Sequence, residues 1–352
     1  MTPFVYTALP VRVVFGHGTI AQVADEVQRL GCRRALVLST PEQRATAERL
    51  HAQMGASAVG IFAEAMMHTP VDVSERAVAV ARDLRADCTV AVGGGSTTGL
   101  GKAIALRTDL PQVVVPTTYA GSEATPVLGE TVDGRKTTQR TLKVLPEVIV
   151  YDVDLTLSLP PALSATSGMN AIAHAIEALY AQDANPVTSI LAEQGVIALA
   201  RALPRIVKEP SHREARAEAL YGAWTCGTCL GAVGMALHHK LCHVLGGSFN
   251  LPHAQTHTVV LPHAVAYNAP AAPGAMARAA AALATTNAAQ ALYDLAQRLG
   301  APLSLRELGM KQADLDIAAE LACASPYWNP RPFTRDDIRG LLQAAFDGAR
   351  PN

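Results

Sequence analysis

The sequence predicts two domains, a doubly wound α/β domain with a parallel sheet and then an all-helical domain. Three observations support this prediction. Over roughly the first 150 residues, short apolar runs typical of buried parallel strands alternate with helical stretches. From residue 162 onward, long stretches rich in alanine and leucine, the strongest helix formers, replace that pattern. The chain of 352 residues also exceeds the usual size of one domain.

The N-terminal domain is predicted to cover residues 1–158. It begins with β-structure over residues 4–15, followed by a helix from about Thr19 to Leu30. Further strands are predicted at 34–38, 59–62, 88–92 and 113–115, and the character of the chain changes after residues 147–152. Further helices are predicted to begin at Pro41 and to cover 71–85 and 97–107.

The C-terminal domain is predicted to cover residues 159–352, with Pro160 and Pro161 at the boundary. We expect the glycine pair Gly246-Gly247, followed by Pro252, to end the helix that precedes them. The helices are predicted from periodic stretches at 161–181, 186–207, 213–243, 274–299 and 335–348.

Composition argues against several classes of partner. The formal charge is −1, and charged residues make up only 17% of the chain, so neither nucleic acid nor an anionic membrane is an expected partner. The chain shows no signal-peptide pattern at its N-terminus, and its six cysteines are scattered. We therefore expect a cytoplasmic enzyme with reduced cysteines, in which Cys226 and Cys229 only pack. The apolar N-terminal segment makes a homodimer plausible.

Five of the eleven histidines fall within residues 238–257, in surroundings that are otherwise apolar or small. His239 and His243 are four residues apart and share one face of a predicted helix. An earlier segment repeats this spacing with Asn170 and His174. The residues expected to line one functional cleft are His174, His239, His243, His253 and Asn170.

Two loops predict a dinucleotide site at the carboxyl ends of neighbouring strands. Gly93-Gly94-Gly95-Ser96 lies between a strand and a helix, where glycines let backbone N–H groups approach a pyrophosphate. A tight turn without a ligand would also explain these glycines, but the hydroxyl-rich run 116–123 follows the next strand. The expected cofactor is NADH or NADPH. The predicted cofactor-binding residues are Ser39, Thr40, Gly93, Gly94, Gly95, Ser96, Thr117, Thr118, Tyr119 and Ser122.

The strand that should reach the adenosine ribose ends in Ser39-Thr40. An acidic residue at such a strand end would bind the ribose hydroxyls and repel a 2′-phosphate. Thr40 does neither, so we predict weak discrimination between NADH and NADPH.

In combination, these motifs resemble the iron-containing (group III) alcohol dehydrogenase family. The resemblance spans roughly residues 10–270 and implies a dehydroquinate synthase-like architecture, with a dinucleotide-binding domain before a helical domain. It rests on Gly93-Gly94-Gly95-Ser96, on Pro116-Thr117-Thr118, on Gly121-Ser122-Glu123 and on the histidine stretch through Pro252-His253.

The sequence departs from the family pattern at informative positions. The family's metal is usually held by an aspartate and three histidines, which fall here at Asn170, His174, His239 and His253. Asn170 thus replaces what we expect to be the only anion of the site, and a neutral amide is a poor ligand for Fe²⁺ or Zn²⁺. At two further positions where the family usually has an aspartate, this sequence has Thr40 and Gly99.

These departures resemble the maleylacetate reductase branch of the family. Further similarity to that branch lies at Pro3–Tyr6, Arg12–Gly16 and Ser167–Asn170. The resemblance implies NADH- or NADPH-dependent reduction of maleylacetate to 3-oxoadipate in the breakdown of aromatic and chloroaromatic compounds. It also implies that no metal is needed, and we expect none.

The implied chemistry suits imidazoles. Hydride addition to the carbon β to a ketone gives an enolate, whose oxygen imidazole N–H groups can hold without a metal. We expect His243 to lead as proton donor, with His239 and His253 as oxyanion or carboxylate partners. His174 and Asn170 would shape a pocket that is more positive without the aspartate. Lys240 and Arg12 are candidate carboxylate partners, although surface or packing charges are the commoner explanation.

Other functions remain open at this stage. A metal-dependent alcohol dehydrogenase acting on a small alcohol or ketone would need Asn170 or a water to complete its metal site. A reductase of a phosphorylated keto sugar is disfavoured because no basic cluster accompanies the histidines. A non-catalytic nucleotide-binding protein is the alternative from a different class.

Overall fold

The computed structural model describes residues 3–132 and 135–352, and the chain divides into two compact units. One unit is Ala8–Leu159. The other combines the described residues up to Thr7 with the segment from Pro160 to Asn352. Residues 1, 2, 133 and 134, which the predicted N-terminal domain includes, lie outside the described residues. The predicted fold class is confirmed, because a parallel sheet with helices precedes an all-helical region.

The first unit contains a six-stranded parallel sheet in the order β1-β8-β5-β4-β2-β3 and a separate antiparallel hairpin, β6-β7. Its strands are β1 Arg12–Gly16, β2 Ala35–Leu38, β3 Ala58–Phe62, β4 Cys88–Gly93, β5 Gln112–Pro116, β6 Val127–Val132, β7 Arg135–Arg140 and β8 Val148–Asp152. Its α-helices are α1 Val23–Arg29, α2 Arg44–Met54, α3 Val71–Asp83 and α4 Gly95–Thr108.

The central strands are apolar on both faces because helices cover both sides of the sheet. Along β4, Val90 and Val92 belong to one buried cluster, and Ala91 belongs to the cluster on the opposite face. This alternation follows from the two-residue period of a strand.

Strand order places the two glycine- and hydroxyl-rich loops side by side. Strands β4 and β5 are neighbours, with Gly93 paired to Pro116 where both strands end. The chain runs from β2 outward to β3 and then returns to the other side of β2 to form β4. The direction of winding therefore reverses between β2 and β4, where doubly wound sheets open a ligand crevice.

The second unit is helical, and the helix α5 lies at its centre. Every residue from Ser164 to Leu179 of α5 is buried, and the helix packs against α6, α7 and α9. The helices are α5 Pro161–Leu179, α6 Pro186–Lys208, α7 Arg213–Ala232, α8 Leu237–Phe249, α9 His253–Asn268, α10 Pro273–Ala282, α11 Ala288–Arg298, α12 Asp314–Cys323 and α13 Arg335–Asp347.

Several predicted boundaries were wrong. Of the β-structure predicted over residues 4–15, only 12–15 lie in a strand, and residues 4–11 form no regular element. The predicted helix over 213–243 is two helices, because the chain breaks between Ala232 and Leu237. Helices α9 and α12 and the hairpin β6-β7 were not predicted.

The glycine pair does not end the helix in which it lies. Gly246 and Gly247 are internal to α8, which continues to Phe249. The helix ends instead at Asn250, whose φ of 53° places it in the left-handed region. Asparagine is one of the few residues other than glycine that adopt this conformation readily, so it replaces glycine as the C-terminal signal.

Two further observations concern composition. No single helix in the described part of the chain has the length and apolar character of a membrane span, whereas α7 and α8 taken together, bent by 96°, meet those criteria. All six cysteines are free thiols, and Cys226 and Cys229 are buried in α7.

Candidate active site

One face of α5 carries the polar side chains of the helical unit's interior. Asn170, His174 and Glu177 are spaced by four and three residues, which places them along one face of the helix. Their relative exposures are 3%, 3% and 0%. A polar stripe this deeply buried is costly unless its members are hydrogen-bonded or bind a ligand.

Helix α5 contributes one imidazole to the site, and helices α8 and α9 contribute five more. We call the six rings the imidazole cluster: His174, His238, His239, His243, His253 and His257. The ring centroid of His239 lies 5.1 Å from that of His174, 4.9 Å from that of His257 and 6.3 Å from that of His243. The cluster is therefore contiguous.

Exposure divides the imidazole cluster into an inner and an outer part. His174, His239 and His257 are buried, whereas the side chain of His253 is half-buried and that of His243 is exposed. His253 lies 4.3 Å from His257, centroid to centroid. The structure thus brings the four predicted site histidines into one group. His243 lies on the solvent side of that group.

Glu177 is a buried carboxylate within this group that sequence analysis did not identify. Its Oε2 accepts a hydrogen bond from His239 Nδ1 at 2.7 Å and from the backbone N–H of Ala236 at 3.0 Å. Its Oε1 accepts from the backbone N–H of His238 at 2.9 Å and from the Tyr180 hydroxyl at 3.3 Å. The expectation that Asn170 replaces the only anion of the site was therefore wrong.

The ionisation of these groups follows from their surroundings. Burial works to raise the pKa of Glu177, but hydrogen bonding and charge attraction from His239, with help from the backbone N–H of Ala236, lower it to about 2. Burial, reinforced by neighbouring imidazoles, lowers the pKa of His174 and His257 well below the usual value. Burial likewise lowers the pKa of His238 to about 4. At neutral pH these three rings are neutral, so they interact as N–H and N dipoles rather than as cations.

The hydrogen bonds distinguish the rings that are satisfied from those that face a ligand. His238 Nε2 lies 3.0 Å from the backbone oxygen of His257, so it carries the proton and donates. Four ring nitrogens have no hydrogen-bond partner among the described residues: His239 Nε2, His174 Nδ1 and both nitrogens of His257. Buried nitrogens of this kind are costly unless a ligand or an ordered water engages them, which makes this face of the cluster a candidate binding surface.

We tested whether these residues fit a metal ion. Within the described ranges, only two groups bring three histidine, cysteine or carboxylate ligand atoms within 4.8 Å of one another. The first is His238, His239 and His257, in which His238 already donates to a carbonyl; neither His174 nor His253 belongs to it. The positions that carry the metal in the family pattern therefore offer no converging set here, and Asn170 offers no charge. This donor set does not fit such a metal.

The second group is Cys32, Asp87 and Cys88 in the α/β unit. The Asp87 carboxylate accepts hydrogen bonds at 2.8 Å from the backbone N–H groups of Arg33 and Arg34. Burial raises the pKa of both thiols, which favours their protonated form. We therefore assign these three residues a structural role rather than a metal-binding one.

In the α/β unit, the glycine turn after β4 is closely packed. A Cβ at Gly93 would lie 2.3 Å from Thr97 Oγ1, and one at Gly94 would lie 2.9 Å from Thr118 Cγ2. The turn therefore needs glycine at both positions. It leads directly into α4, whose first residue, Gly95, is exposed, so the N-terminal N–H groups of that helix are accessible to a phosphate.

The predicted cofactor residues differ in accessibility. Gly94, Gly95, Ser96, Thr118 and Ser122 are exposed or half-buried, and Thr40 is half-buried. The side chains that are buried are Ser39, Thr117 and Tyr119, and Gly93 is buried as well. Thr117 accepts a hydrogen bond from Gln43 Nε2 at 2.7 Å, which links the second loop to the segment after β2.

Lys102, which sequence analysis did not single out, anchors the second loop. Its buried ammonium donates to the backbone oxygens of Ser122 at 2.6 Å, Thr125 at 2.7 Å and Val127 at 2.9 Å. Burial lowers the pKa of Lys102 to about 7, against an opposing attraction from Glu123. Three carbonyls on one cation fix the course of the loop that carries Ser122.

An acidic residue does lie near the end of β2. Hydrogen bonds lower the pKa of this residue, Glu42. The larger effect comes from its own backbone N–H and the smaller one from the Thr40 hydroxyl. The Glu42 side chain is exposed, so water and salt screen its charge. The remaining candidates have other partners: Arg12 pairs with Glu26 at 2.8 Å, and Lys240 lies over the Tyr327 ring at 5.6 Å.

Sequence analysis thus missed Glu177 and Lys102, and it left His238 and His257 out of the predicted site because they could equally lie behind it or on the other side of their helices. A signal for Glu177 existed, because it is the only Asp, Glu, Lys or Arg among residues 161–181. A single acid in an otherwise uncharged helix next to a histidine indicates a specific partner, because isolated buried carboxylates are rare. His257 repeats the four-residue spacing after His253 and carried the same signal.

Comparison with known proteins gives a consistent result over both units. Family models described as iron-containing alcohol dehydrogenase match residues 10–153, and the C-terminal model of that family matches residues 164–346. Maleylacetate reductase of Rhizobium sp. (strain MTP-10005) is 60% identical over 351 residues, covering 100% of each chain. Maleylacetate reductase of Sphingobium indicum is 59% identical over 99% of each chain. The crystal structure of maleylacetate reductase from Agrobacterium tumefaciens superposes with a TM-score of 0.97, at 59% identity and 100% coverage of each chain.

Proposed function

The chain belongs to the iron-containing alcohol dehydrogenase family and is an oxidoreductase, and from this premise we propose that it reduces maleylacetate to 3-oxoadipate with NADH or NADPH and without a metal. Membership of this family sets aside the non-catalytic alternative. The observation that carries the proposal is the neutral amide of Asn170 beside buried imidazoles, in a chain that matches maleylacetate reductases over its full length.

The reaction fits these residues chemically. A hydride from the reduced nicotinamide adds to the alkene carbon next to the carboxylate, which is β to the ketone. The double-bond electrons move toward the carbonyl and leave an enolate, with its charge mainly on oxygen. A proton then adds to the neighbouring carbon and restores the ketone. Imidazole N–H groups, on neutral or doubly protonated rings, stabilise such an oxyanion because their dipoles are already oriented.

The positions of the histidines suggest how the work is divided. His239 is buried and its Nε2 has no hydrogen-bond partner among the described residues, so we assign it, protonated on both ring nitrogens, to the enolate oxygen. His243 lies one helical turn later with an exposed side chain, so after giving up its proton it can regain one from solvent. His253 is half-buried and is assigned to a substrate carboxylate. His174 and Asn170 shape the interior.

A cofactor-oxidation assay tests the proposal directly. We expect the purified protein to oxidise NADH rapidly with maleylacetate and to give no turnover above background with simple ketones such as acetone. A simple ketone lacks the conjugated double bond, and its carbonyl would need stronger polarisation than neutral imidazoles supply. Turnover of simple ketones with no response to maleylacetate would reject the proposal and favour an alcohol dehydrogenase.

Cofactor preference is a separate prediction. Thr40 supplies no carboxylate at the end of β2, and the nearby acid Glu42 is exposed and screened. We therefore expect kcat/KM for NADH and NADPH to differ by less than about a thousandfold, because a well-placed carboxylate is what rejects a 2′-phosphate strongly. Steady-state kinetics with both cofactors measure this ratio, and a larger preference would show that another group reads the ribose.

A further inference from the structure

Glu177 is a buried charge of the helical unit, and nothing in the reaction as described above uses it. The side chain is wholly buried in the middle of α5, and two backbone N–H groups and the Tyr180 hydroxyl donate hydrogen bonds to its two oxygens. A buried carboxylate is costly, because removing it from water is repaid only by several well-placed donors. The partners of Glu177 therefore indicate its purpose.

The first set of partners is the N-terminus of α8. That helix begins at Leu237, and the residue before it, Ala236, has no side chain that can cap the helix. Glu177, which lies on another helix, caps α8 instead by accepting hydrogen bonds from the backbone N–H groups of Ala236 and His238. A negative charge at this end of a helix also interacts favourably with the helix dipole.

The second partner is the ring of His239. Because both oxygens of Glu177 already accept from backbone N–H groups, the side chain is the acceptor in its 2.7 Å contact, which places the proton on His239 Nδ1. The same carboxylate oxygen also accepts from the backbone at Ala236, so it is fixed in place from a second direction. The ring is consequently held in one orientation, with Nε2 directed away from Glu177.

We propose that Glu177 is a positioning residue for the reductase reaction. It fixes the start of α8 and holds His239 with a proton on Nδ1, so that Nε2 faces the substrate oxygen and donates to it when the ring is doubly protonated, a charge that Glu177 balances. One carboxylate thereby couples the helix that carries His239 and His243 to the helix that carries Asn170 and His174. The assignment of His239 to the substrate rests on the proposed function; the link between Glu177 and His239 does not.

The link is tested first in the unmodified protein, by ¹⁵N NMR of histidine side chains. The spectrum of a His239→Ala variant identifies the His239 signals by their loss. We expect the wild-type His239 Nδ1 to be protonated and in slow exchange with water. An unprotonated Nδ1 at neutral pH would overturn the proposal without any variant at position 177, and without any assumption about the substrate.

The consequence for the reaction is tested with Glu177→Gln and Glu177→Asp. Glutamine keeps the shape but replaces one acceptor oxygen with a donor, so it cannot accept from both sides. We expect kcat with maleylacetate to fall at least about tenfold in Glu177→Gln, as when a histidine loses the carboxylate that sets its tautomer, with KM for NADH within about twofold. Glu177→Asp, which keeps a carboxylate, should recover part of kcat and restore the protonated Nδ1 signal.

A matched control is Glu193→Gln in α6, which removes a carboxylate paired with Arg278 in the same unit but touches no ring of the imidazole cluster. It should leave kcat and the His239 signals unchanged. Loss of kcat in Glu177→Gln with an unchanged His239 tautomer would contradict the positioning role and indicate a general packing defect. Failure of all variants and the wild type to reduce maleylacetate, with the NMR result as expected, would instead reject the proposed function and leave the link standing.

Discussion

Replacing His243 with alanine is expected to lower kcat for maleylacetate reduction at least about 10²-fold, the lower end of a general-acid contribution. His243 combines an exposed side chain, which can be recharged by water, with a position one helical turn from His239. KM for NADH should change little, because no cofactor-loop residue is altered. Single-turnover measurements of NADH oxidation and steady-state kinetics together locate the slowed step.

Two comparisons make this test specific. His51→Ala in α2 removes an imidazole from the α/β unit, outside the imidazole cluster, and should leave kcat unchanged. His239→Ala should also lower kcat strongly, because it removes the group assigned to the enolate oxygen. Near-normal turnover in His243→Ala together with a large loss in His239→Ala would transfer the proton-donor role to His239.

Asn170→Asp is expected to lower kcat/KM for maleylacetate at least about tenfold. The change adds a negative charge to a buried position in a site proposed to bind a dianion. Two like charges about 5 Å apart repel by roughly 3 kcal/mol at an effective dielectric constant near 20, so even a partly screened interaction exceeds a factor of ten. The effect should appear mainly in KM for maleylacetate, since Asn170 is not among the residues predicted to bind the cofactor.

The matched control is Asn287→Asp, which adds the same charge at the N-cap of α11 in the same unit. Aspartate caps a helix as well as asparagine does, so this variant should retain activity and stability. Unchanged or improved maleylacetate reduction by Asn170→Asp would show that the amide is not there to avoid a negative charge.

The sequence was sufficient for the elements that rest on local patterns. The strand–glycine–helix unit around Gly93 and the apolar strand β5 were predictable, because buried parallel strands and their turns have strong local signals. The spacing of His239 and His243, and of Asn170 and His174, also placed them correctly on helix faces. These are short-range consequences of helical periodicity.

What could not be predicted depends on contacts between distant segments. Glu177 caps a helix that starts nearly sixty residues later in the chain, and no local pattern reveals such a cap. Lys102 reads as an ordinary helix residue until three carbonyls of a later loop surround it. Gly246 and Gly247 suggested a helix end, but the packing of Leu245 and Leu251 in the core keeps α8 intact past them.

We propose that imidazole N–H groups, rather than a bound metal ion, stabilise the negative charge formed on the substrate. Metal analysis of the purified protein after dialysis against a chelator, with the same sample assayed for maleylacetate reduction, tests it most directly. We predict a metal content far below one ion per chain and a kcat within about twofold of the untreated value. One tightly bound iron or zinc ion per chain, whose removal abolishes turnover and whose return restores it, would contradict the claim.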